Sequence, residues 1–275
     1  MKLRVPQIDQ NFISTDKMLT ALKAISQCDG LKNVLLTGPT GCGKTAQAEY
    51  LAAILKRPYF ESIVSQHIEP LDLLGTKGVK DGATFFNESA FVEAVETDNG
   101  IIVLDEINRA PSSILNMLIP LLDHRGSVFI EELGRYVKTG RNVMFLATAN
   151  VGAEFSGTFR LDEAIVSRFP FRFEVSFLEE NDESEMLQSR TGIDEENARL
   201  LAKVGATLRA KSVGFGGSLS RQISTRQLIA TSELITNGIS INDSLDITVV
   251  PLFDKEGGTN SEQAQVLQSI QLICG

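Results

Sequence analysis

Short, mostly apolar runs recur along the chain at 33–37 (NVLLT), 59–64 (YFESIV), 101–104 (IIVL), 143–148 (VMFLAT) and 171–177 (FRFEVSF). Runs this short and this apolar predict strands of a parallel sheet covered on both faces. Helical spacing fills the gaps: 45–55 follows the first run, 90–96 precedes the third, and 112–122 follows it, with Pro120 expected to kink that helix. The layout is βαβ with crossover helices. At about Leu178 the pattern changes. The stretch SFLEENDESEMLQSR is acid-rich, and beyond it the helices predicted at 198–210, 225–236 and 261–273 are separated by Gly- or Ser-rich turns. The expected organisation is an αβα domain over 1–177 with a five-stranded parallel sheet, then a mostly helical domain over 178–275. Two segments interrupt the alternation. LDLLGTKGVKDGATFF (71–86) has β-like ends around Gly-rich, Lys-bearing turns, and the 127–142 region reads as a β-hairpin turning at 132–134.

Composition narrows the classes. The 275 residues are 43% hydrophobic and 22% charged, enough for one large core and a smaller one. No apolar stretch approaches the roughly 20 residues of a membrane-spanning helix. The opening MKLRVPQIDQ has no apolar signal core, so the cytoplasm is the expected location. Cys28, Cys42 and Cys274 are odd in number and scattered, which suits reduced thiols rather than a disulfide framework or a zinc site. His67 and His124 lack metal-ligand spacing and read as structural. A net charge of −9 argues against bulk nucleic acid as the main partner, because such binding needs surplus Lys and Arg.

The candidate chemistry begins after the first strand. GPTGCGKT at 38–45 fits G-x-x-x-x-G-K-[ST], and it lies between a strand and a helix, as that motif requires. Gly41 and Gly43 allow backbone conformations in which successive N–H groups converge on phosphate oxygens, and the helix N-terminus adds partial positive charge. Lys44 would reach the β- and γ-phosphates, and Thr45 would ligate Mg²⁺. The nucleotide contacts expected are Gly38, Pro39, Thr40, Gly41, Cys42, Gly43, Lys44, Thr45 and Ala46. Cys42 reads as a small residue at a variable position rather than a redox switch.

A phosphate loop needs a metal ligand and a group that positions water. Both can come from the carboxyl edge of a neighbouring parallel strand. IIVLDEINRAP supplies them: Asp105 would hold hydrated Mg²⁺, and Glu106 would polarise the water that attacks the γ-phosphate. FLATAN at 145–150 is another apolar strand with a polar end, where Asn150 could hydrogen-bond that water or the γ-phosphate. Pro111 suits the first turn of the next helix.

Together GPTGCGKT, LDEINRAPSSILNMLIPLLD, FLATAN, GTFRLDEAIVSRF and the STR at 224–226 resemble an AAA+ ATPase. The finer pattern is similar to the MoxR-type, dynein-related branch with its CbbQ-, NirQ- and CobS-like relatives, over about residues 30–240. The resemblance implies a P-loop NTPase core followed by a small helical lid, with ATP and Mg²⁺ as ligands. It makes Asp105 and Glu106 the second nucleotide motif, Asn150 the first sensor, Arg226 the second sensor on the lid, and Arg168 the arginine finger that reaches a neighbouring subunit's nucleotide. Arg160 is the weaker candidate for that finger. The catalytic set is then Lys44, Glu106, Asn150 and Arg168, while Asn108 and Arg109 would couple Glu106 to the subunit interface. A finger in trans requires a ring, and the branch implies a hexamer that remodels or activates a partner protein. That partner would be a protein with a von Willebrand A-like domain, or a metalloenzyme needing metal insertion or release of inhibitor. In this branch the two hairpins can project toward the pore. Lys77, Lys80, Arg135, Lys138 and Arg141 concentrate positive charge on them, which keeps a nucleic-acid-stimulated motor as an alternative. A nucleotide-binding scaffold ring without turnover is the other alternative, and the joint presence of Glu106, Asn150 and Arg168 argues against it.

Overall fold

Residues 101–104 are wholly buried because the strand they form has helices on both faces. In the computed structural model, which describes residues 3–80, 83–150, 162–212 and 217–275, the elements run as follows. The first part of the chain holds α1 (Asp16–Ser26), β1 (Val34–Gly38), α2 (Lys44–Leu55), β2 (Tyr59–Ile63), α3 (Pro70–Leu74), β3 (Gly75–Lys80), β4 (Ala83–Glu88), α4 (Ala90–Glu96) and β5 (Ile101–Asp105). It continues with α5 (Ser112–Leu122), β6 (Ser127–Ile130), β7 (Arg135–Lys138), β8 (Met144–Asn150), α6 (Glu163–Val166) and β9 (Phe171–Glu174). Then come α7 (Glu180–Thr191), α8 (Glu195–Ser212), α9 (Thr225–Thr236), α10 (Ile241–Thr248) and α11 (Glu262–Cys274).

Five strands form one parallel sheet in the order β2-β5-β8-β1-β9. Side-chain alternation along each strand divides the core into two clusters, one per face. Leu35, Ile102, Leu104, Phe145 and Ala147 join Phe91 and Val92 of α4 and Ile114 and Leu118 of α5. Val34, Leu36, Ile101, Val103, Met144 and Leu146 join Leu22 of α1 and Ala48, Leu51 and Ala52 of α2. This is the three-layer αβα arrangement of P-loop NTPases. The two interrupting segments contain antiparallel hairpins, β3 with β4 and β6 with β7, but residues 71–74, expected as a β-like end, are helical in α3. α5 continues two residues past Pro120, whose missing N–H leaves the Asn116 carbonyl without its i→i−4 donor one turn before the helix ends.

The contacts of the chain group it into two compact units. One comprises 1–10, 14–38 and 44–175; the other comprises 11–13, 39–43 and 176–275. The second is helical around a core that includes Leu187, Leu201, Leu208, Leu228 and Leu245. The acid-rich stretch becomes α7. Its Glu183 is fully buried, accepting two hydrogen bonds from Arg209 at 2.6 and 2.9 Å and one from the Thr225 hydroxyl at 2.8 Å. The Arg209 guanidinium also stacks 3.9 Å over the Phe177 ring. The sequence pattern did not single out α1, α3, α6, α7 or α10. In α7 the buried residues include Glu183 and Ser184, so the helix has no wide apolar stripe to read.

Candidate functional site

β5 ends on Asp105, and the chain turns at Glu106, which holds a left-handed backbone conformation (φ 57°, ψ 41°), into a short turn of helix over Ile107–Arg109. A glutamate in that region is strained, so the surroundings must hold it there. Its N–H donates to the Thr148 hydroxyl at 2.9 Å, and Thr148 in turn donates to Asp105 Oδ1 at 2.6 Å. The Thr45 hydroxyl, in the first turn of α2, donates to the same Asp105 oxygen at 2.7 Å. Asn150 Nδ2 donates to Glu106 Oε1 at 2.9 Å, and Asn108 Nδ2 donates to the Asn150 carbonyl at 2.9 Å. Arg109 Nε lies 3.1 Å from Glu106 Oε2, an ion pair by distance whose N–H is not aligned for a hydrogen bond.

Thr45, Asp105, Glu106 and Asn150 therefore meet at the carboxyl edge of the sheet. One detail of the sequence reading needs correction: β5 is not the neighbour of β1, because β8 lies between them. That insertion brings Thr148 into the centre of the network. Thr148 is 1% exposed and was not singled out by its sequence. The available signal was the two-residue period of a strand, which puts Thr148 and Asn150 on the same face.

Lys44 is buried, and its ammonium donates to the Gly38 carbonyl at 3.0 Å. In the loop, Gly41 and Gly43 have φ of 77° and 95°. A Cβ on Gly41 would lie 2.3 Å from the Ser224 Cβ, so this position excludes a side chain on steric as well as backbone grounds. Pro39, Thr40 and Cys42 complete the loop, and Ala46 follows Thr45 in α2.

The donor set suits a magnesium nucleotide. Among the described residues no cluster of three or more His, Cys, Asp or Glu could hold a metal alone. A hydroxyl and one carboxylate, Thr45 and Asp105, are the hard oxygen ligands that Mg²⁺ takes when water and phosphate fill its other positions.

Arg168 follows α6, and its Nη1 donates to the Ala164 carbonyl at 2.9 Å and the Ser167 hydroxyl at 3.0 Å. Its own carbonyl accepts from Asn33 Nδ2 at 2.8 Å. Arg226 is exposed in the first turn of α9, where Ser224 and Gln227 form a capping box. Arg160 lies outside the described residues.

Of the four hairpin-region cations whose side chains are described, two are neutralised. Arg135 pairs with Glu96 at 3.0 Å and Glu88 at 2.8 Å, which together hold its guanidinium more firmly protonated. Arg141 pairs with Asp98 at 2.6 Å. Its side-chain hydrogen bonds, followed by its backbone N–H, hold the Asp98 carboxyl below the usual range. Lys77 and Lys138 are exposed. So are Phe129 and Tyr136, which meet edge to face at 5.2 Å across β6 and β7. Among the described residues no helix is long and apolar enough to cross a membrane.

Residues 33–169 match the AAA domain of the dynein-related subfamily, and residues 183–269 match the CbbQ/NirQ/NorQ C-terminal region. The putative chaperone BssE of Thauera aromatica is 32% identical over 247 residues, spanning 88% of this chain and 84% of that protein. NorQ of Paracoccus denitrificans is 28% identical over 80% of each chain. The denitrification regulatory protein NirQ of Pseudomonas aeruginosa is 28% identical over 80% of this chain and 83% of its own. Among solved structures, a point variant of Thermotoga maritima RuvB aligns with a TM-score of 0.57 at 19% identity, covering 92% of this chain and 76% of that one; at that identity the likeness is one of fold. The chain belongs to the dynein-related AAA+ P-loop NTPases of MoxR type and carries a CbbQ/NirQ/NorQ C-terminal region.

Proposed function

We infer that the protein is a Mg²⁺-dependent ATPase that works as a ring, a hexamer by the family resemblance, to remodel or activate a partner protein. The observation that carries this reading is the single hydrogen-bonded edge joining Thr45, Asp105, Thr148, Glu106 and Asn150. In it, Lys44 and the loop N–H groups bind the phosphates, and Asp105 and Thr45 hold the ion. Bound Mg²⁺ would neutralise charge on the phosphate oxygens. Glu106 accepts the proton of the attacking water, and Asn150 orients that carboxylate. In the lid, which this reading assigns to residues 178–275, Arg226 senses the γ-phosphate.

A finger acting in trans is supported by where Arg168 is anchored. Its carbonyl is tied to Asn33, just before the amino end of β1. The phosphate loop leaves the carboxyl end of that five-residue strand, about 16 Å away at roughly 3.3 Å per residue. One side chain does not span that distance, so a nucleotide served by Arg168 belongs to another subunit. Action on a protein is favoured over action on nucleic acid, because Arg135 and Arg141 already have acidic partners and two relatives are named as a putative chaperone and a regulatory protein.

Phosphate release from ATP with and without Mg²⁺ tests the activity, with Lys44→Ala as the binding-deficient control. Glu106→Gln should retain nucleotide and stabilise the oligomer while hydrolysis stops. Normal turnover in that variant would overturn the catalytic assignment. DNA- or RNA-stimulated hydrolysis that disappears with Lys138→Ala would favour the nucleic-acid motor instead.

A further inference from the structure

Asn33 is the residue before β1 and is 3% exposed. Both hydrogens of its amide are used: Nδ2 donates to the Leu122 carbonyl at 2.6 Å and to the Arg168 carbonyl at 2.8 Å. Leu122 ends α5, where the last carbonyls have no partner within the helix. Arg168 follows α6, and Leu118 and Leu121 of α5 share one core cluster with Ile165 of α6 and with Phe169. An apolar contact tolerates sliding, whereas two directed hydrogen bonds from a single amide do not. α5 begins three residues after Arg109, close to the turn that carries Glu106 and Asn108. One buried side chain thus joins the far end of the helix leaving the hydrolytic edge to the segment that bears Arg168.

We propose that Asn33 is a positioning residue that fixes Arg168 against the end of α5, so that the finger offered to the neighbouring subunit is set relative to this chain's own Glu106 edge. The inference rests on the trans-finger reading given above. The burial of Asn33 beside two carbonyls explains why an amide is needed. Alanine leaves both carbonyls without their donor, and aspartate would set a carboxylate oxygen against them.

Complementation in mixed rings separates the two ideas. Lys44→Ala subunits have a dead site of their own but offer a sound finger. Arg168→Ala and Asn33→Ala subunits have a sound site but offer a missing or misplaced finger. Arg168→Ala alone should lose about 10³-fold or more in kcat with little change in the KM for ATP. Asn33→Ala alone should lose about ten-fold, again in kcat. Mixing either with Lys44→Ala should restore turnover, and adding Asn33→Ala to Arg168→Ala should change kcat by less than about two-fold.

If Arg168→Ala is not rescued in mixed rings, the trans-finger reading fails. If Arg168→Ala is rescued and Asn33→Ala is not, or if the two losses multiply, the positioning role of Asn33 fails while the finger stands. Asn33→Ser keeps one donor and should fall between wild type and Asn33→Ala. Loss of folding in both the Ala and Ser variants would assign the amide to stability and overturn the inference.

Discussion

Glu106 and Glu183 are both carboxylates met by an arginine and a polar side chain, and they lie in different units of the molecule with opposite freedom. The Glu106 side chain is 28% exposed; it is bound through one oxygen by Asn150 and approached at 3.1 Å by Arg109, itself 36% exposed. Glu183 is 1% exposed, held by two Arg209 bonds and a Thr225 hydroxyl under an aromatic ring. An acid that must accept a proton and change partners needs few, replaceable bonds. An acid that holds three helices in register needs all its lone pairs filled, because an unpaired buried charge is costly. On the proposed function, the same residue type serves turnover in one unit and register in the other.

The largest expected effect on this contrast comes from Glu106→Gln, which should slow hydrolysis by about 10²–10⁴-fold while the unfolding midpoint stays near that of wild type. Phosphate release and urea denaturation on the same preparation check both halves. Glu183→Gln should do the reverse: it strands Arg209 in the core and costs about 3–5 kcal/mol of stability, with turnover per folded molecule retained. Replacing Glu183 and Arg209 together with apolar residues of similar volume should recover much of that loss. A Glu183→Gln protein that is stable but inactive would invert the comparison.

Thr148→Val sharpens it further. The shape is kept, but the Glu106 N–H loses its acceptor and Asp105 loses a donor, so a loss of about 1–3 kcal/mol is expected. Turnover should fall roughly ten-fold as Glu106 leaves its strained conformation, read as kcat against KM for ATP. The smallest effect belongs to an exposed pair. Asp98 has a depressed pKa in the folded chain, so the stability it contributes is present above the ordinary aspartate range, near pH 4, and is lost as pH falls through the lower folded value. Arg141→Ala should leave the melting temperature at pH 7 almost unchanged and flatten its fall at acid pH. An Arg141→Ala melting curve that still drops as steeply below pH 4 would assign that limb to other carboxylates.

Much of the candidate site was legible because its signals are local. The phosphate loop is eight consecutive residues between a strand and a helix, and IIVLDE and FLATAN mark their own strand ends. The sheet strands and most helices followed from periodicity for the same reason: backbone conformation is decided over a few residues. α7 escaped because two of its four buried residues, Glu183 and Ser184, are polar, and no apolar periodicity announces a buried Glu183.

What lay beyond the linear pattern is the set of contacts between distant residues. Strand order put β8 between β1 and β5, which made Thr148 a partner of both Asp105 and Glu106 across 42–43 positions. The amide of Asn33 reaches 89 residues to Leu122 and 135 to Arg168. Local sequence sets which atoms each strand and helix end presents. Which of those ends become neighbours depends on how the layers stack to bury both faces of the sheet, a property of the whole chain that no short segment carries.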